Sequence, residues 1–188
     1  MRARQASGVV LLSVSLLVGL GCASSGIQVS DRFAATAQAP GIPTAGSTAT
    51  VEINVYRYAT DDEIAALAEV LREGGPKALL KALGKHEMGN VSTRERTSPP
   101  LRLVMQVDTP EGRRILAVTD RPITFYEVWT AARSRRYEFG FIDLTLDAEN
   151  RGTGTMIAAG QVKVLGEGTV EIESLGVTPV RLINVRAR

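Results

Sequence analysis

The chain has little of what reactive centres are usually built from: one cysteine, Cys22, and one histidine, His86, among 188 residues. A single cysteine excludes an intramolecular disulfide and a cysteine-based metal cage. A Ser-His-Asp triad or a histidine zinc site would have to use His86. This histidine follows a helical pattern, where the helix dipole alone favours it, so we expect it to be structural.

The chain also lacks a large excess of positive or negative charge. The formal net charge is +2, and without Arg2 and Arg4 the chain carries 20 basic and 20 acidic residues. This balance argues against a general polyanion binder, and we expect no nucleic acid partner. Aromatic residues make up 5% of the chain and concentrate between residues 125 and 141. We expect that region to mark the centre of a packed sheet.

No apolar run is long enough to span a membrane, since the longest, from Gly8 to Leu20, is far below the ~20 residues required. It follows Arg2 and Arg4 and ends in small residues, which predicts a signal peptide over residues 1–21. The ending Leu20-Gly21-Cys22 resembles a bacterial lipoprotein signal, although Gly19 and Leu20 depart from the usual order. The resemblance implies acylation of Cys22 and anchoring in the cell envelope on the periplasmic side. The alternative is ordinary cleavage and secretion.

Residues 22–49 consist largely of Ala, Ser, Thr, Gly and Pro and predict a flexible tether. A single β-rich domain is then expected over residues 50–188. It begins with an alternating strand, Thr50 to Tyr58. A capping box at Thr60 and Glu63 starts a helical hairpin that is broken at Gly74-Gly75.

The rest of the domain reads as a loop over residues 86–100 followed by short strands and tight turns, one strand running from Ile123 to Trp129. Strands joined so tightly must pair antiparallel. We therefore predict an α+β fold, mainly β, in which an antiparallel meander curls into a barrel or a sandwich, with an N-terminal strand and the helical hairpin.

Three clusters of residues are candidate sites. Asp143, Asp147 and Glu149 are carboxylates of the kind glycosidases use, but their alternation is typical of a solvated face. Gly152-Thr153-Gly154 precedes a strand rather than a helix, which indicates a turn and not a phosphate loop. The most suggestive cluster combines arginines with flanking aromatics, suited to an anion or an acidic partner: Trp129, Arg133, Arg135, Arg136 and Tyr137. No cofactor or metal site is predicted.

Several segments together resemble a family of exported bacterial proteins of unassigned function. The segments are Thr119–Ile123, Tyr137–Phe141, Gly152–Ala159, Glu171–Glu173 and Pro179–Arg186. The resemblance implies export and a single domain with a β-rich C-terminal half, and it brings no catalytic residue or ligand.

Two function hypotheses remain open at this point. The first is a non-enzymatic, lipid-anchored envelope domain that binds a partner protein or an amphipathic ligand, or its soluble secreted counterpart. The second is an envelope hydrolase that uses carboxylates such as Glu127, Glu138 and Asp143. The first is favoured because the leader and the β-rich domain come without an adequate catalytic set.

Overall fold

In the computed structural model, which describes residues 30–38, 48–93, 96–123, 138–164, 170–174 and 179–188, the chain forms one helix and nine strands. The helix is α1 (Asp61–Leu83). The strands are β1 (Asp31–Gln38), β2 (Thr48–Val55), β3 (Gly89–Thr93), β4 (Arg96–Thr109), β5 (Gly112–Thr119), β6 (Phe139–Asp147), β7 (Arg151–Val164), β8 (Val170–Ser174) and β9 (Val180–Ala187).

The strands form one antiparallel sheet that closes into a barrel. Their order is β6-β5-β4-β3-β2-β1-β9-β7-β8, and β6 also pairs with β7. This last pairing closes a ring of eight of the described strands, while β8 pairs with the second half of β7 outside the ring. The predicted α+β, mainly β fold is thereby confirmed, and of the two predicted closures the chain forms the barrel.

The inside of the barrel is filled with side chains. Residues from strands all around the ring point inward and are almost fully buried, among them Phe33, Ile53, Ile115, Leu144 and Leu182. A ring of eight strands leaves an interior just wide enough for such side chains. The barrel is therefore a core rather than a ligand chamber.

Strand β1 corrects the predicted tether over residues 22–49. Residues 31–38 belong to the barrel, because β1 pairs with β2 on one side and with β9 on the other. Phe33, Ala35 and Ala37 alternate into the core. Alanine side chains bury little apolar area to offset the entropy lost on ordering, but pairing with two neighbouring strands and a narrow barrel interior make small residues suitable here. The tether prediction is wrong for these residues.

The helical hairpin forms as predicted. Thr60 caps α1 and Glu63 returns a hydrogen bond to the Thr60 amide. The helix breaks at Gly75, whose φ of 70° favours glycine, and Pro76 begins the second segment. The chain then folds back, since His86 Nδ1 lies 3.8 Å from Glu63 Oε1. Hydrogen bonds from Arg57 and Thr60 lower the pKa of Glu63 to about 2.

The predicted loop over residues 86–100 is wrong, because β3 and the start of β4 lie there. Val91 is the aliphatic residue that β3 buries, and its neighbours Asn90 and Ser92 are polar. Pro100, which has no amide hydrogen, lies next to a register shift in the β3–β4 pairing. The predicted strand from Ile123 to Trp129 lies outside the described residues except for Ile123.

Candidate functional site

The predicted site residues lie outside the part of the chain that the structure describes. They are the acylation site Cys22 and the anion or partner contact Trp129, Arg133, Arg135, Arg136 and Tyr137. Acylation and anion binding at these positions therefore stay predictions.

The acidic candidates are engaged in structural contacts. Both carboxylate oxygens of Asp143 accept hydrogen bonds from Arg114, at 2.8 and 2.6 Å. Asp147 Oδ1 accepts hydrogen bonds from the amides of Glu149 and Arg151 and holds the β6–β7 turn. In a glycosidase, one carboxyl must be free to protonate the leaving oxygen, and the paired oxygens of Asp143 are not. This geometry does not favour a catalytic role for the acidic cluster.

The described residues contain an apolar groove on the outer wall of the barrel, of about 580 Å³. One wall is the apolar face of α1, and the other includes Val162 on β7 and Ile172 on β8. Six outward-facing side chains of β4, β5, β6 and β7 form its floor: Leu103, Met105, Leu116, Val118, Phe141 and Ile157. We call this feature the apolar groove.

Strand register explains why the floor is continuous. Leu103, Val118, Phe141 and Ile157 are successive partners across β4, β5, β6 and β7 and form one apolar row. Side chains of such partners point to the same face of the sheet. The next row begins with Met105 and Leu116 and continues into polar residues. The lining of the groove therefore changes from apolar to polar along the barrel wall.

The polar side of the groove is the ion pair between Arg114 and Asp143. With Thr155, these residues are the polar members of the described lining. The Arg114 side chain is 50% exposed, so the pair lies at the solvent boundary. Hydrogen bonds to Asp143 raise the pKa of Arg114. A ligand with an aliphatic chain and a polar end matches this layout.

The sequence itself carries a signal for this groove. Apolar residues occupy both faces of three strands, as in Leu103-Val104-Met105, Leu116-Ala117-Val118 and Phe141-Ile142. A half-buried strand with a solvated outer face would alternate strictly. Apolar residues on both faces indicate that the outer face is covered or binds something. The sequence does not show which strands α1 covers.

Arg113 does not join the other arginines on the outer wall. It points to the end of the barrel, 5.5 Å from the centre of the Phe33 ring. It donates hydrogen bonds to Asp31, Gln106 and Asn150. Tyr58 donates to the same Asp31 carboxylate, at 2.5 Å, and burial together with this bond raises the Tyr58 pKa. This network closes the barrel end where β1 begins.

Comparison of the chain with protein-family models, curated proteins and solved structures finds no match. The resemblance to exported bacterial proteins thus stays a prediction. Within the described ranges, no helix is both long and apolar enough to cross a membrane. Among the same residues, no three histidine, cysteine or acidic side chains gather in a way that would hold a metal ion.

Proposed function

We propose that this chain is a non-enzymatic domain of the bacterial cell envelope that binds the aliphatic chain of an amphipathic ligand in the apolar groove. The observation that carries the proposal is the groove itself, with leucines of α1 on one side and the Leu103–Ile157 row as its floor. Its volume of about 580 Å³ falls within the ~300–1,000 Å³ of typical ligand pockets.

The ligand class follows from the lining. Aliphatic side chains dominate it, with Phe141 as its aromatic member among the described residues, so the groove suits flexible hydrocarbon better than stacked rings. Each buried CH₂ group contributes about 0.8 kcal/mol to such binding. Asp143 accepts hydrogen bonds from Nε and Nη2 of Arg114, and the remaining Nη1 group provides a partner for a carboxylate or another anionic end of the ligand.

Replacing Leu116 by glutamate tests this assignment. Leu116 lies in the middle of the floor, paired with Met105 and Asp143, so a carboxylate there would be buried by any bound hydrocarbon. We expect Leu116→Glu to weaken binding of the fluorescent fatty acid cis-parinaric acid at least tenfold in a fluorescence titration. The protein used lacks residues 1–22, which removes the apolar leader and keeps every barrel strand.

The matched control is Val164→Glu. Val164 lies at the end of β7, is 41% exposed and does not line the groove. Its replacement should leave fatty acid binding unchanged, and thermal unfolding of both variants checks that the fold is intact. Equal binding by the parent and Leu116→Glu, or equal loss in both variants, contradicts the proposal. A stable complex with a partner protein and no fatty acid binding would favour the protein-partner hypothesis.

The second part of the proposal is the location. The signal peptide predicted over residues 1–21 and the single cysteine at its end support export followed by acylation. Two or more acyl chains give stable anchoring. We expect the full chain, expressed with its own leader in a bacterial host, to begin at Cys22 and to carry acyl mass in intact mass spectrometry. Cys22→Ala should lack that mass, and a chain beginning after Cys22 without acyl mass would indicate a secreted protein.

A further inference from the structure

A second groove, on another sector of the barrel wall, is basic rather than apolar. It lies over β3, β2, β1, β9 and the start of β7 and measures about 1,090 Å³. Among its described lining residues, three are arginines and one is acidic: Arg151, Arg186, Arg188 and Glu52. Small and hydroxyl side chains such as Thr36 and Thr153 form its floor. We call this feature the basic groove.

Two of these arginines face each other, and no described acidic side chain pairs with either of them. Arg151 and Arg186 are direct partners in the β7–β9 pairing, so their side chains project from the same face. Like charges directly opposite on neighbouring strands destabilise a sheet. Glu52 lies 3.2 Å from Arg188, whereas Arg151 and Arg186 have no hydrogen bond or ion pair from their side chains to any described residue. The two exposed arginines therefore present two positive charges on one face of the wall, and an anionic group lying between them would stabilise the arrangement.

The basic groove lies beside β1, the first strand after Cys22 among the described residues. Arg188 donates its backbone amide to the carbonyl of Arg32, the second residue of β1. Eight residues separate Cys22 from Asp31. At most ~3.6 Å per residue, they reach roughly 30 Å when fully extended. A lipid on Cys22 would therefore keep the start of β1, which lies next to the basic groove, within roughly 30 Å of the membrane surface.

We infer that the basic groove docks on the anionic phospholipid headgroups of the membrane that holds Cys22. The inference deepens the proposed function and rests on it for the anchor, whereas the charge arrangement is independent of acylation. Guanidinium groups bind phosphate with two parallel hydrogen bonds, and Thr36 and Thr153 offer further hydroxyl donors. Each arginine near an anionic surface strengthens binding about fivefold. Docking would orient the barrel and leave the apolar groove on a different sector of the wall.

Vesicle sedimentation tests the inference with the chain lacking residues 1–22, so that neither leader nor acyl group contributes. The vesicles are phosphatidylcholine alone and phosphatidylcholine with one quarter phosphatidylglycerol. We expect binding to the anionic vesicles at least tenfold tighter than to the neutral ones, weakening as salt rises. The double variant Arg151→Gln/Arg186→Gln should lose about twenty-fivefold of the anionic binding.

The matched control is Arg72→Gln/Arg121→Gln, which removes the same charge from two exposed arginines of α1 and the segment after β5. It should keep the anionic binding. Equal binding to both vesicle types, or equal loss in both double variants, overturns the inference. Arginine-dependent binding of free glycerophosphoglycerol without vesicle binding also overturns it and would assign a small-anion site. Fatty acid binding to Arg151→Gln/Arg186→Gln, measured without vesicles, reports separately on the apolar groove.

Discussion

Phe33→Ala is expected to lower the free energy of unfolding by about 4 kcal/mol, the usual cost of removing a fully buried phenylalanine. The Phe33 side chain is 0% exposed in the barrel and also carries the Arg113 guanidinium over its ring. Its loss leaves a cavity at the barrel end and removes the surface on which Arg113 rests. Urea unfolding followed by circular dichroism measures the change.

Thr36→Ala is the control for this prediction, because Thr36 lies on β1 but points to the outer face. Its effect should stay within about 0.5 kcal/mol, as for most substitutions outside the core. If residues 22–49 formed a flexible tether, both variants would be as stable as the parent. If Phe33→Ala were as stable as the parent, β1 would not be part of the barrel.

Gly152→Ala is expected to cost about 3 kcal/mol, because it overpacks a closed strand pair. Gly152 lies opposite Leu146 on β6 and Val185 on β9. A Cβ atom at this position would collide with the backbone carbonyl oxygen of Thr145. The backbone of β6 cannot move away from this clash as a flexible side chain could. Strands β6 and β7 would therefore have to separate where they close the ring.

Gly84→Ala provides the matched comparison. Gly84 has a φ of −57°, which suits alanine, and a Cβ there would meet Lys81 O at an ordinary 3.6 Å. The free energy of unfolding of Gly84→Ala should be unchanged or raised by up to about 1 kcal/mol. A Gly152→Ala protein as stable as Gly84→Ala in the same thermal and urea unfolding experiments would contradict the close β6–β7 contact.

The sequence predicts those features of the fold that depend on residues close together in the chain. The capping box at Thr60 and Glu63 and the break at Gly75 depend on neighbouring residues and are visible in the sequence. Strand β1 was missed because its inward residues include Ala35 and Ala37, which carry little hydrophobic signal by themselves. Their burial depends on β9, which lies more than 140 residues later in the chain.

The two grooves could not be predicted because both depend on pairing between distant strands. The apolar floor joins Leu103 to Ile157 through two intervening strands, and the opposition of Arg151 and Arg186 depends on the β7–β9 register. Apolar residues on both faces of β4 and β5 did indicate that something covers the outer wall. The predicted arginine cluster at residues 133–136 lies outside the described residues, and binding by it stays a prediction.

Binding in the apolar groove is tested most directly by methyl NMR with isoleucine δ1 groups labelled in the chain lacking residues 1–22. Ile64, Ile157 and Ile172 line the groove, whereas Ile53 and Ile115 are buried inside the barrel. Titration with cis-parinaric acid should shift the three groove methyls with one saturation curve and leave the two barrel methyls in place. Shifts confined to Ile53 and Ile115, or no saturable shift at all, would contradict the account.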